Sequence, residues 1–250
     1  MTAPPVACQT LDLSVAYRAD PVLRRVSIEI PLGSVMGIVG PNGSGKSTLI
    51  KAMLGLVTPL TGRATFFGQP LDAVRQQVGY MAQSNSVDWD FPTTVIDMVT
   101  MGTYGGLKWL RRPGRAERDR AMAALEQTGI ADLAGRQIGE LSGGQRQRAF
   151  LARTLVQAPT LFFMDEPFQG VDAKSQRAIL DVMHALTTEG KTMVIVHHHL
   201  STVRDYCDHV TLLNGRVVAS GPTDQAFTKE NIRIAYEARD GAEAFLEAAG

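Results

Sequence analysis

Gly40-Pro41-Asn42-Gly43-Ser44-Gly45-Lys46-Ser47-Thr48 is the stretch that decides the fold. It satisfies the phosphate-binding pattern G-x-x-x-x-G-K-[S/T] at every position. The glycines let backbone N–H groups turn inward and form a nest for an anion. The loop empties into a helix N-terminus, whose dipole adds positive charge. In this reading Lys46 reaches the β and γ phosphates of a nucleotide, and the Ser47 hydroxyl ligates Mg²⁺. Just upstream, Ser34-Val35-Met36-Gly37-Ile38-Val39 is nearly unbroken apolar sequence, the pattern of a strand buried on both faces. Strand, loop and helix in this order predict an α/β nucleotide-binding core.

The alternation spreads outward from there. Leu11, Leu13 and Val15, and then Val26, Ile28 and Ile30, follow a period of two, which predicts antiparallel strands with one wet face. A helix is expected from Thr48 to Leu56, and short strands at Gly62–Phe67 and Val78–Ala82. From Ser84 to Pro159 the texture turns helical, with segments from Pro92 to Met101, Ala116 to Thr128, and Ser142 to Gln157. Strands return at Leu161–Met164, Thr192–Val196 and Val210–Leu213, with a helix between Ala173 and Thr188. Gly215–Gly221 reads as a hairpin end, and the chain from Thr223 as helical. Strands alternating with helices imply a parallel central sheet.

Two further stretches carry chemistry. Leu161-Phe162-Phe163-Met164-Asp165-Glu166 is an apolar strand that ends on two carboxylates. A phosphate-loop enzyme needs a carboxylate in the Mg²⁺ shell, and Asp165 supplies it. Glu166 is then the candidate general base for an attacking water. Leu141-Ser142-Gly143-Gly144-Gln145 stands before an amphipathic helix, with Ser142 as a natural N-cap. Its two glycines expose N–H groups at a helix start, a second phosphate cradle without a lysine. Two half-sites for one anion that cannot meet within a chain are paired twice by a head-to-tail, two-fold dimer.

In these motifs and their order, the sequence from Leu11 to about Tyr236 resembles the ATP-binding subunits of ABC transporters. Gly40–Thr48 looks like Walker A, Leu141–Gln145 like the ABC signature, and Leu161–Glu166 like Walker B. The resemblance makes Gln83 the Q-loop glutamine, which contacts Mg²⁺ and the attacking water and reports to the permease. It makes Asp172 the D-loop aspartate at the dimer interface and Tyr17 the aromatic that stacks on adenine. It implies one ATPase domain over residues 1–236: a RecA-like core with a parallel sheet (1–83 and 160–222), an antiparallel β subdomain, and a helical subdomain (84–159). A short helical tail occupies 237–250. The cofactors implied are ATP and Mg²⁺.

His197-His198-His199 has the look of a metal site, yet three consecutive residues leaving a strand point in alternating directions and do not readily converge on one ion. The resemblance instead makes His198 the switch histidine at the γ phosphate, with His199 where the family usually has Asp. Phe168-Gln169-Gly170-Val171-Asp172 also departs from the common Ser-Ala-Leu-Asp form. With Ser86-Val87-Asp88-Trp89-Asp90-Phe91-Pro92 and the doubled histidine, it resembles the subfamily serving manganese, zinc and iron importers. Import of another substrate, such as a siderophore, stays open. In this family the segment from Ser84 to Met101 faces the membrane subunit, so Trp89 and Phe91 are either contact residues or packed inside the helical block. The basic stretch Lys108–Arg115 either touches anionic headgroups or the permease or, as the acidic Glu117 and Asp119 that follow at once favour, is a solvated loop.

Composition bounds the rest. The 250 residues are 44% hydrophobic and 20% charged, as in an ordinary globular protein. Lys+Arg and Asp+Glu are 25 each, and this zero net charge disfavours global attraction to nucleic acid. No apolar run approaches 18 residues, so no spanning segment is expected. The start, Met1-Thr2-Ala3-Pro4-Pro5, does not read as a secretory signal. Cys8 and Cys207, far apart and without a CxxC pattern, fit a reducing cytosol. Lys46 and Ser142 are only 96 positions apart, which leaves no room for the coiled-coil insertion of DNA-maintenance relatives. A single set of motifs argues against a translation-type factor with two cassettes. The expected partners are therefore a second copy of the chain, a separately encoded permease at the cytoplasmic face of the membrane and, indirectly, an extracytoplasmic metal-binding protein.

Overall fold

A computed structural model describes residues 5–17, 20–83, 88–107, 112–197 and 200–236. In chain order its elements are β1 (Val6–Tyr17), β2 (Asp20–Pro31), β3 (Val35–Val39), α1 (Lys46–Met53), β4 (Thr61–Phe66), α2 (Leu71–Val74), β5 (Val78–Met81), α3 (Val95–Met101) and α4 (Arg115–Gln127). They continue with α5 (Gly143–Leu155), β6 (Leu161–Asp165), α6 (Ala173–Thr188), β7 (Thr192–His197), α7 (Val203–Tyr206), β8 (His209–Leu213), β9 (Val217–Pro222), α8 (Thr223–Ala226) and α9 (Lys229–Tyr236). The chain divides into two compact units, Met1–Arg75 with Gly190–Gly250, and Gln76–Glu189. The second unit thus takes in β5, β6 and α6 beside the helices of 84–159.

The first unit holds two sheets. One is antiparallel, in the order β2-β1-β4, with Thr10 opposite Ile28 and Cys8 opposite Phe66. Its alternation is the one the sequence predicts. Leu13, Val15, Leu23, Val26 and Ile30 are fully buried, while Arg24, Arg25, Ser27 and Glu29 face out. In the other sheet β3 lies between β7 and β8, parallel to both, and β9 closes the edge antiparallel to β8. Every residue of β3 is buried, which is why its sequence shows no polar alternation. Met36, Ile38 and Val39 lose all solvent contact, each worth about 1.5–3 kcal/mol. Ile232, Ala235 and Tyr236 of α9 are buried, and Asn214 Nδ2 donates to the Ala235 carbonyl at 2.9 Å. The tail beyond, 237–250, lies outside the described residues.

In the second unit β5 runs parallel to β6, with Tyr80 opposite Phe163 and Met81 opposite Met164. Helices α3, α4 and α5 pack on one another around Val95, Val99, Ala121, Leu125, Ala149 and Leu151, all fully buried. Each helix has a legible start. Thr94 caps α3 by accepting from the Asp97 N–H, so this helix begins at Val95, three residues after Pro92. Glu117 reaches back from α4 to the N–H of Gly114 at 2.7 Å. Ser142 and Gln145 form a reciprocal capping box on α5.

Candidate functional site

The phosphate loop lies in the first unit, between the end of β3 and the start of α1. Helix α1 begins at Lys46, two residues earlier than the periodicity of the sequence indicates. Gly45, at φ 97°, makes the left-handed turn that lets it do so. Lys46 is buried, and its Nζ donates to the carbonyls of Gly40 at 2.8 Å and Pro41 at 2.9 Å. The ammonium is thus folded over the backbone of the loop, whose Ser44 N–H donates to the Pro41 carbonyl at 3.1 Å. Gly40 has no room for a side chain, because a Cβ there would sit 2.0 Å from the Leu213 carbonyl oxygen and 2.8 Å from Ser44 Oγ. That Ser44 hydroxyl is buried, with no hydrogen-bond partner among the described residues. Asn42 and Gly43 are exposed at the tip, while Pro41, Ser47 and Thr48 are half-buried. Tyr17 ends β1 with its side chain exposed, as a stacking surface requires.

The two carboxylates lie in the second unit. Asp165 closes β6 and is buried. Glu166 follows at φ 53°, in the left-handed region, although it carries a side chain and precedes Pro167. Such a conformation costs on the order of 1–3 kcal/mol and persists only where the surroundings impose it. It turns the Glu166 carboxylate toward Gln83, which follows β5 and donates from Nε2 to Glu166 Oε2 at 3.2 Å. The same nitrogen donates to Gln169 Oε1 at 2.7 Å. The parallel pairing of β5 and β6 sets Gln83 and Glu166 side by side. Burial, and after it the charge of Asp165, raises the Tyr80 hydroxyl to about 12, so it stays protonated beside that charge.

The signature sits at the start of α5. Ser142 and Gly143 are exposed and Gly144 is buried. Ser142 Oγ accepts from the Gln145 N–H at 3.4 Å, and Gln145 Oε1 accepts from the Ser142 N–H at 2.9 Å. The two glycines have a second reason to be there, one that an anion-cradle argument does not supply. A Cβ on Gly143 would meet the Gly170 carbonyl at 2.6 Å, and one on Gly144 would meet Ser175 Oγ at 2.3 Å and Asp172 Oδ2 at 2.9 Å. The signature therefore lies directly against the loop that precedes α6. Asp172 caps that helix, accepting from the Ser175 N–H at 2.9 Å and from its hydroxyl at 3.0 Å. These bonds, the backbone one first, hold its carboxyl below the usual carboxylate range.

Within the second unit the structure thus joins Gln83 to Glu166 and the signature glycines to Asp172. His198, His199, Ser86, Val87 and the 108–111 part of the basic stretch lie outside the described residues. His197 ends β7, buried, with Nε2 at 2.9 Å from Thr202 Oγ1 and its ring edge-on to Tyr206. Trp89 packs within the helical block, under the Arg146 guanidinium at 4.6 Å and edge-on to Phe150. Phe91 is exposed. Gln169 is the site residue that sequence reasoning missed, since no spacing rule singles it out. The cap role of Asp172 was missed as well, although an Asp directly before a helix is a signal for it.

A complete phosphate loop on a buried parallel strand, a Walker B strand, and a signature helix in a separate helical block define an ATP-binding cassette, an ATPase. Residues 23–169 match the family model described as ABC transporter. The chain is 51% identical to the zinc transport system ATP-binding protein TroB of Treponema pallidum, over 96% of this chain and 90% of that one. It is 49% identical to the manganese transport system ATP-binding protein MntB of Bacillus subtilis, over 91% of each. A solved nucleotide-free ATP-binding cassette from an ABC transporter superposes with a TM-score of 0.78 at 26% identity, covering 97% of this chain and 98% of that one. The chain belongs to the ABC transporter family, as an ATP-binding subunit.

Proposed function

We propose that this chain hydrolyses ATP to drive a membrane permease that imports a transition-metal ion. The observation that carries the hydrolytic part is the Gln83–Glu166 hydrogen bond, which sets the Q-loop glutamine beside the candidate base. The metal reading rests on relatives named for zinc and manganese transport.

The loop Gly40, Pro41, Asn42, Gly43, Ser44 and Gly45, through the backbone N–H groups of its residues other than Pro41, binds the phosphates together with Lys46, Ser47 and Thr48, and Tyr17 stacks on the adenine. The donors offered to Mg²⁺ are the Ser47 hydroxyl, the Gln83 amide oxygen and the Asp165 carboxylate. All are hard oxygens, the ligands this ion takes. Held by these residues, Mg²⁺ would supply positive charge to offset the negative charge that develops on the phosphate in hydrolysis. Glu166 accepts the proton of the attacking water, and His198 holds the γ phosphate. The exposed Ser142 and Gly143, with Gly144 and Gln145 behind them, complete the site of a second copy across a head-to-tail interface that includes Asp172.

Among the described residues no helix is long and apolar enough to cross a membrane. The relatives are named as ATP-binding proteins of transport systems, and on that ground a separate permease subunit carries the ion, with the ATPase docked on its cytoplasmic face and an extracytoplasmic binding protein delivering the cargo. The test is cellular manganese and zinc content in a strain lacking this chain. Wild type should restore uptake of one of them and Glu166→Gln should not; uptake independent of both would overturn the proposal.

A further inference from the structure

Asn214, Gly215 and Arg216 turn β8 back into β9, and this turn lies against the phosphate loop within the first compact unit. The Gly215 N–H donates to the Ser44 carbonyl at 2.9 Å. The Leu213 carbonyl, just before the turn, faces Gly40 so closely that a Cβ there would sit 2.0 Å away. The end of β8 therefore meets the loop at its first residue and again at Ser44.

The turn is itself held from two other sides. The Arg24 N–H of β2 donates to the Gly215 carbonyl at 2.8 Å. Asn214 Nδ2 donates to the Ala235 carbonyl of α9 at 2.9 Å. A carbonyl only accepts, so the nitrogen end of the Asn214 amide is fixed.

The consequence lies in one peptide plane. Among the described residues no peptide bond is cis, so the carbonyl of Ser44 and the N–H of Gly45 point in opposite directions. Sterics do not lock this plane at its Gly45 end, because glycine takes φ of either sign. A flip would turn the Gly45 N–H toward the Gly215 N–H, donor against donor. The Gly215 N–H thus keeps the Ser44 carbonyl turned to β8 and the Gly45 N–H turned away from it. Gly45 is the N-cap of α1, where backbone donors meet a bound phosphate and where an inward carbonyl would repel one.

We propose that Gly215 is a positioning residue for the phosphate loop: through the Ser44 carbonyl, its backbone N–H holds the Gly45 N–H on the side where a nucleotide phosphate binds. This rests on the nucleotide-binding reading of the same loop.

The test is calorimetric titration of the full chain with ADP and Mg²⁺. Glycolic acid introduced at position 215 by nonsense suppression replaces the Gly215 N–H with an ester oxygen and leaves every side chain in place. Gly215→Asn keeps the N–H and tolerates the left-handed φ of 69°. It also has room, since the nearest atom to a Cβ there is the Val22 carbonyl oxygen at 3.5 Å. ADP affinity should fall about three- to tenfold in the ester chain, the worth of one hydrogen bond, and stay within about twofold of wild type in Gly215→Asn. A bond that only braces the fold would lower the thermal midpoint of the free chain and leave ADP affinity unmoved. Unchanged affinity in the ester chain, or an equal loss in Gly215→Asn, would overturn the positioning role while the nucleotide reading stands. If wild type does not bind ADP at all, both fail.

Discussion

Gln83 Nε2 lies 3.2 Å from Glu166 Oε2, so the side chain that leads into the 84–101 segment is in direct contact with the candidate base. The register of β5 on β6, with Met81 opposite Met164, sets this distance. The second residue after β5 and the first after β6 are thereby neighbours.

Substitutions at Gln83 should separate donation from charge. Gln83→Ala removes a donor to a carboxylate, and turnover should fall about 10- to 100-fold, the range for a hydrogen bond to a charged group. Gln83→Glu should be worse, because it sets two carboxylates where one donor and one acceptor stood. Steady-state hydrolysis of the two variants checks the order; equal losses would mean that the contact has no electrostatic part.

Glu166 holds a left-handed backbone that glycine adopts freely. Both Glu166→Gly and Glu166→Ala remove the carboxylate, and only the first relieves the backbone. Glu166→Gly should therefore be about 1 kcal/mol more stable than Glu166→Ala in chemical denaturation. Both should be inactive.

Gly144→Ala should destabilise the chain by about 1–3 kcal/mol, since the new methyl group has no space beside Ser175 and the loop must move. Adding Ser175→Gly should recover part of the loss, because it removes the two nearest atoms that the methyl group meets and leaves Asp172 Oδ2. Thermal unfolding of the single and double variants reads the coupling. A Gly144→Ala chain as stable as wild type would mean that the loop before α6 yields freely.

Asp172 has a depressed carboxyl in the folded state, below its ordinary 3.8. Its cap therefore contributes stability above that ordinary value and loses the contribution as pH falls through the lower folded one. Asp172→Ala should be less stable than wild type at neutral pH, and the gap should close in strong acid. Denaturation at neutral and at acidic pH checks this; a gap constant across pH would mean that the hydrogen bonds to Ser175 do not depend on charge.

Much of this was legible before the structure. The loop from Gly40 to Thr48 identified its own strand and helix, because each glycine and the lysine answer to one physical need. Ser142 with Gln145 announced the start of α5, and the burial of β3 followed from its unbroken apolar run. What stayed hidden depends on pairing across the fold. Nothing local to Gln169 says that its side chain meets Gln83, 86 positions away. Nothing local to Gly144 says that Asp172 and Ser175 wall it in. Trp89 could be read equally as a surface contact or as packing, and only the position of Arg146 and Phe150 on α5 decides for packing. Helix starts shifted by two or three residues at Lys46 and Val95, where Gly45 and Thr94 set the first turn in place of the apolar period.

The most direct measurement of the central claim, that this chain is an ATPase whose base is Glu166, is size exclusion with bound-nucleotide analysis of Glu166→Gln in ATP and Mg²⁺, beside single-turnover hydrolysis. The substitution keeps the shape of the side chain and removes its basicity. Turnover should drop about 10²–10⁴-fold, ATP should remain bound, and the chain should elute as a dimer that Ser142→Arg abolishes. A Glu166→Gln chain that hydrolyses ATP at the wild-type rate, or that no longer binds it, would contradict the account.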